Sequence, residues 1–288
     1  MIVDAHHHLW RLDHGYPWMD QPALAPIRRD FGVADLRAAL AGTGVRLTVL
    51  VEAGRCDAAE VAEFLAIADE TAEIAGVVGW VDLTDHDLAG TLAAQLAGPG
   101  GRWLVGTRAQ VQGEPDPGYL GRPDVHGGLS TVATAGLAYD LVVRVDQLGG
   151  AVTAARAVPE LTFVLDHLGK PAIRAGAEGL RRWREAITPL AAEPNVLAKL
   201  SGLVTEADWT QWTVEDLRPY VATAVELFGP GRLMVGSDWP VCLLAARYPD
   251  VLTALDTALA ATGLSPAELA EIHAGTAIRA YRLDPTGA

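Results

Sequence analysis

Cysteine is scarce: the 288-residue chain holds two, Cys56 and Cys242. That excludes a disulfide framework and a cysteine-built metal cluster. Positive charge is in deficit as well, with 22 Lys and Arg against 36 Asp and Glu and a formal net charge of −14. Nucleic acid and anionic membrane surfaces are therefore not expected as partners. The total says little about small substrates, because a pocket can be locally basic. No apolar run reaches the roughly 18 residues of a membrane-spanning helix, and the first residues lack the basic and apolar regions of an export signal. A cytoplasmic location is the expectation. Charged residues make up only 20% against 50% hydrophobic, which argues for a globular and not a disordered chain.

What the chain does have is a regular alternation. Short apolar, β-branched runs occur at 3–10, 45–52, 75–81, 104–111, 137–145, 161–166, 196–200 and 233–237. Longer amphipathic segments follow them, at 33–40, 57–72, 87–96, 123–136, 147–157, 179–192, 214–228 and 249–262, with a terminal helix over 266–283. Eight strand–helix units about 30 residues apart predict an α/β fold, a (β/α)8 TIM barrel in one domain spanning 1–288. An open doubly wound sheet is the fallback, but it would normally offer a glycine-rich phosphate turn after the first strand, where this chain has His-His-Leu-Trp. Two stretches, 11–30 and 112–123, have neither period and read as long loops suited to covering a site.

The first strand carries the strongest local signal. Period-two alternation would put Asp4, His6 and His8 on one face and Val3, Ala5, His7 and Leu9 on the other. Two imidazoles on one face can share a metal ion or a substrate oxygen. Active sites of such barrels lie at the C-terminal strand ends, and there the chain places Glu52, Asp82, Arg108, Asp140 and Arg144, Asp166-His167, Lys199 and Ser201, and Ser237-Asp238. A buried strand tolerates an ionisable group only when it is paired or at work. Asp140 and Arg144 are equally readable as an internal ion pair, and Glu52, Asp82 and Asp166 as supporting or helix-capping groups. His14, His86, His126 and His273 read as surface or packing residues.

Six segments, in order and spacing, resemble the amidohydrolase superfamily and within it the amidohydrolase 2 group, which includes sugar lactonases. They are Asp4-Ala5-His6-His7-His8-Leu9-Trp10, Tyr16-Pro17-Trp18, Asp166-His167-Leu168-Gly169-Lys170-Pro171, Lys199-Leu200-Ser201-Gly202-Leu203, Gly236-Ser237-Asp238-Trp239-Pro240-Val241, and Gly275-Thr276-Ala277 with Tyr281. The resemblance implies that His6, His8 and His167 are the family's histidines and Asp238 the aspartate that acts on the hydrolytic water. Binuclear relatives use a carboxylated lysine on strand four and a histidine on strand five. Arg108 and Asp140 stand there in this chain, so one divalent ion is implied at most, zinc first, held by His6, His8, His167 and Asp238, its occupancy left open.

The implied reaction is hydrolysis of a small carbohydrate-type lactone, such as L-fuconolactone or L-rhamnonolactone, to its hydroxy acid in sugar catabolism. Asp238 serves as base and then acid, and the histidines, directly or through a metal, polarise the carbonyl. Trp10, Tyr16, Trp18 and Trp239 are expected to wall the pocket, with Arg108, Arg144 and Lys199 binding hydroxyls or a carboxylate. Alternatives are hydrolysis of an anionic lactone from aromatic breakdown, nonoxidative metal-dependent decarboxylation, and a noncatalytic ligand-binding barrel. A homo-oligomer is left open.

Overall fold

The structure, a computed structural model, describes residues 1–285, so the last three residues of the expected 1–288 domain lie outside the described residues. Eight parallel strands pair in sequence order: β1 (Ile2–His7), β2 (Val45–Val51), β3 (Ile74–Trp80), β4 (Leu104–Ala109), β5 (Ala138–Leu141), β6 (Phe163–Leu165), β7 (Val196–Leu200) and β8 (Leu233–Val235). The seam between first and last strand is joined at its top. Asp238 N–H donates to His6 O at 2.8 Å and His8 N–H to Trp239 O at 2.7 Å.

Around the strands run α1 (Val33–Leu40), α2 (Ala58–Asp69), α3 (Leu88–Ala97), α4 (Pro123–Thr134), α5 (Leu148–Ala157), α6 (Gly176–Ala191), the one-turn α7 (Leu203–Glu206), α8 (Val214–Phe228) and α9 (Tyr248–Ala260). The helix starts follow from the residues: Asp57 accepts the Glu60 N–H at 2.8 Å and so caps α2, and Pro123 and Pro249 stand in the first turns of α4 and α9, where a missing N–H costs nothing. The expected terminal helix is interrupted: α10 (Pro266–Ala270) and α11 (Thr276–Tyr281) are joined by a π turn over Glu271–Gly275. This segment packs across the N-terminal end of the barrel, with Ala274, Ala277, Tyr281 and Leu283 joining Val3, Ala5, Val49, Val164 and Met234 in one buried cluster.

Strict alternation fails in β1. Asp4 points outward, where Ser237 N–H (2.8 Å), Ser237 Oγ (2.6 Å) and Tyr248 Oη of α9 (2.9 Å) all donate to its carboxylate, while Val3 and Ala5 face the inner cluster. The pairing with β2 shifts register between Asp4 and His7, so a β-bulge carries Ala5 and His6 inward together. His7 then faces out to Thr48 Oγ1 at 3.0 Å, and His8 faces in. The expected face shared by Asp4, His6 and His8 thus holds for the two histidines and not for Asp4.

The 11–30 stretch folds into three 3-10 segments, Leu12–His14, Pro17–Asp20 and Pro22–Ile27, seated on the barrel mouth by Trp18 Nε1–H to Ala53 O at 2.8 Å.

Candidate active site

His6 and His8 enter the site from the bulged end of β1, and His167 from the end of β6. Asp238 comes from the turn after β8. His167 and Asp238 both have left-handed backbones, with φ of 53° and 58°, a strained conformation for residues with side chains that concentrates at functional sites. Gly202, itself at φ 61°, lies against them: a Cβ there would come within 2.6 Å of His167 Nδ1 and 3.1 Å of Asp238 Oδ2. Only glycine leaves room for both groups.

Three imidazoles face the Asp238 carboxylate. Asp238 Oδ1 lies 3.8 Å from His6 Nε2, 3.6 Å from His8 Nε2 and 3.8 Å from His167 Nε2, and the His6 and His8 Nε2 atoms are 3.2 Å apart. Each ring is held through its other nitrogen: His8 Nδ1–H donates to Val51 O at 2.9 Å, His6 Nδ1 sits 3.1 Å from Asp166 Oδ1, and His167 Nδ1 2.9 Å from Ser201 Oγ. Burial lowers the pKa of His6 well below the usual imidazole value, against the opposing pull of Asp166 and with a further push from the Lys199 charge, and burial brings His167 down to about 4. Both rings are therefore neutral at pH 7. Burial opposes ionisation of Asp238, yet the His167 and His8 rings and the charge of Lys170 bring its pKa below the ordinary aspartate value.

This donor set fits a divalent ion. Ligands about 2.0–2.1 Å from a tetrahedral zinc stand about 3.3 Å apart, close to the separations among His6, His8 and Asp238, with His167 joining them through Asp238, and second nitrogens tied to a carboxylate, a carbonyl and a hydroxyl are the usual support of metal-bound imidazoles.

Beneath the four runs a buried string of charges. Arg108 donates from Nε to Glu52 Oε1 (2.5 Å) and from Nη1 to Asp166 Oδ2 (2.9 Å). Lys199 Nζ lies 2.9 Å from Asp166 Oδ1 and 2.5 Å from Asp140 Oδ2, and Tyr281 Oη donates to Asp140 from the barrel bottom. Lys199 is fully buried and does not reach the pocket, which corrects the expectation that it binds substrate. The expected Asp140–Arg144 pair is also absent: Asp140 pairs across the barrel, while Arg144 grips Asp146 and donates to Gln112 O. Arg144 therefore holds a loop instead of lining the pocket. Of the supporting acids, Asp166 orients His6, Glu52 orients Arg108, and Asp82 caps a turn through Thr84 N–H at 2.8 Å.

Above the four side chains opens a cavity of about 540 Å³. His8, His167, Asp238 and Arg108 form part of its floor, and Trp18, Leu24, Val142, Trp209, Val241 and Leu244 give it apolar walls. Of the expected aromatics only Trp18 faces it. Trp10, Tyr16 and Trp239 pack behind, Trp10 edge-on to Trp18 at 5.7 Å and Trp239 edge-on to Phe31 at 5.3 Å. Among the pocket residues missed are Gln110, Gln112, Trp209 and the Lys170–Glu206 pair at 3.2 Å. A signal existed for two of them: Gln110 stands two residues beyond Arg108, and Lys170 lies in the His167 segment.

A family model described as Amidohydrolase matches residues 3–283. The chain belongs to the amidohydrolase family. Among relatives of this amidohydrolase, an L-fucono-1,5-lactonase from Burkholderia multivorans is 38% identical, the match covering 98% of this chain and 96% of that one. Another from Burkholderia ambifaria is 34% identical over 99% and 97%. A crystal structure of an amidohydrolase from Burkholderia multivorans with bound zinc superposes with a TM-score of 0.92 at 35% identity, covering 99% of this chain and all of that one.

Proposed function

We propose that this amidohydrolase opens a small, neutral carbohydrate lactone to its hydroxy acid. The observation that carries the reading is the convergence of three buried imidazole nitrogens on the Asp238 carboxylate at the floor of a cavity large enough for a monosaccharide ring. The family membership and the two L-fucono-1,5-lactonase relatives support it. His6, His8, His167 and Asp238 would hold a divalent ion, zinc by preference, and such an ion supplies a Lewis acid for the carbonyl.

The chain's own residues account for the rest. Asp238, kept ionised, accepts a proton from the water as the water oxygen bonds to the lactone carbonyl carbon. The bond from that carbon to the ring oxygen then breaks, and Asp238 returns the proton to the departing alkoxide. The acid product ionises and releases one proton to solvent. The apolar walls seat the non-hydroxylated edges of the ring. Anionic substrates are disfavoured, because the cations at and near the cavity are committed, Arg108 to Glu52 and Asp166, Lys170 to Glu206 and Arg144 to Asp146. That also weighs against decarboxylation, which needs a cation for the substrate carboxylate.

The test is proton release on a panel of aldonolactones. Asp238→Asn is expected to lower kcat/KM by about 10³-fold, within the range lost with a general base, and prolonged treatment with chelator to abolish turnover that zinc restores. A panel on which the unaltered enzyme matches the spontaneous rate would sink the reading.

A further inference from the structure

One wall of the cavity is a ladder of amides built outward from a buried carboxylate. Glu52 Oε1 accepts from Gln110 Nε2 at 2.5 Å, and Gln110 Oε1 accepts from Gln112 Nε2 at 3.1 Å. The direction of the ladder is fixed at its root: an amide oxygen turned toward the Glu52 carboxylate would set acceptor against acceptor, so Gln110 must present its NH2 there. Its oxygen then faces Gln112, which fixes that amide in turn.

The backbone beneath is also pinned. Gln112 N–H donates to Val142 O at 2.9 Å, its carbonyl accepts from Arg144, and Gln147 Nε2 donates to Val111 O at 2.8 Å. Neither glutamine is needed for the fold's core, yet the segments after β4 and β5 combine to hold the pair still. Among the described residues, no hydrogen bond is made to Gln112 Oε1 or by the second N–H of either amide, and both residues line the cavity.

We infer that Gln110 and Gln112 select hydroxylated lactones, by offering ring hydroxyls a fixed set of donors and an acceptor. A hydroxyl both donates and accepts, which this wall matches. A carboxylate only accepts and would meet Gln112 Oε1 unfavourably, and an unsubstituted ring would leave the amides unpaired. The inference rests on the lactonase reading and adds the residues that set its specificity.

The experiment compares kcat/KM for L-fucono-1,5-lactone with that for δ-valerolactone, a six-membered lactone without hydroxyls, in the enzyme and in Gln112→Ala and Gln110→Ala, each checked for an unchanged thermal transition. The enzyme is expected to prefer the hydroxylated ring, and Gln112→Ala to reduce that preference about tenfold, the value of one hydrogen bond at a prepared site. Arg144→Met, which frees the Gln112 carbonyl without touching the cavity, should reduce it in the same direction. Equal losses on both lactones, or an unchanged preference, would overturn the inference while leaving the lactonase reading intact. An enzyme that opened neither of these, nor any other aldonolactone of the panel, would overturn both.

Discussion

Lys199 is an ammonium group with no solvent exposure, held by Asp140 and Asp166 within 2.9 Å. Removing one member of such a group leaves a charge buried without its counterpart, at a cost of roughly 3–5 kcal/mol. Lys199→Met is therefore expected to lower unfolding stability in denaturant by about that amount, and adding Asp140→Asn to recover part of it. A double variant no more stable than the single one would show that Lys199 and Asp140 are not coupled. The sequence made the presence of these groups visible, because ionisable residues at buried strand ends stand out. Their pairing was not visible. Asp140 and Arg144 are four residues apart on what reads as one strand face, but β5 ends at Leu141, and beyond it the chain turns Arg144 away toward Asp146. Partners across a barrel depend on the tilt and stagger of strands, which local spacing does not encode.

At the level of elements, the loop over the cavity is latched to α2, where His14 Nδ1 lies 2.9 Å from Glu63 Oε2. Glu60 is fully buried at the first turn of that helix; its Oε1 accepts from Ala53 N–H at 3.1 Å, while its Oε2 and the nearby Tyr16 hydroxyl are buried without a hydrogen-bond partner among the described residues. Burial and the nearby Glu52 carboxylate raise its pKa to about 7. A carboxyl whose pKa is raised by folding favours the folded state below its unfolded value near 4.5, and that advantage is lost as pH rises through 7. Glu60→Gln should accordingly match the unaltered protein near pH 5 and exceed its stability near pH 8, by up to roughly 3 kcal/mol. Equal stability at both values would contradict a proton held there. The loop's existence was legible from its missing periodicity, whereas its three 3-10 turns were not, since Pro17, Pro22 and Pro26 mark turns without fixing how they stack. The bulge in β1 was illegible for a related reason. Alternation assumes an unbroken ladder, and Asp4 leaves it to serve Ser237 and Tyr248.

Across the whole molecule, the strand order and eight of the main helices follow the alternation in the sequence, because each buried strand and amphipathic helix declares its own period. The cap at the barrel bottom is a different matter: its Tyr281 reaches the interior from α11, beyond a π turn that the periodicity does not announce. Tyr281→Phe removes the hydroxyl that donates to Asp140 at 2.8 Å, with an expected loss of roughly 1.5–3 kcal/mol for a bond to a buried charge. The thermal transition should fall while KM stays unchanged, since the cavity lies at the opposite end. An altered KM would mean that the charges along the barrel axis carry strain from one end to the other.

The seam that joins His6 and His8 to the Asp238 turn has a consequence for how the protein comes into being. Asp4 and Ser237, which clasp that seam, are 233 residues apart in the chain, so the contact lies among the latest that a growing or refolding chain can make. The first histidines emerge from synthesis long before their aspartate exists, and a partly made barrel holds half a site. Activity is thereby a report of completed folding, and a defect that keeps the two chain ends apart would silence the enzyme while most of its helices were still in place.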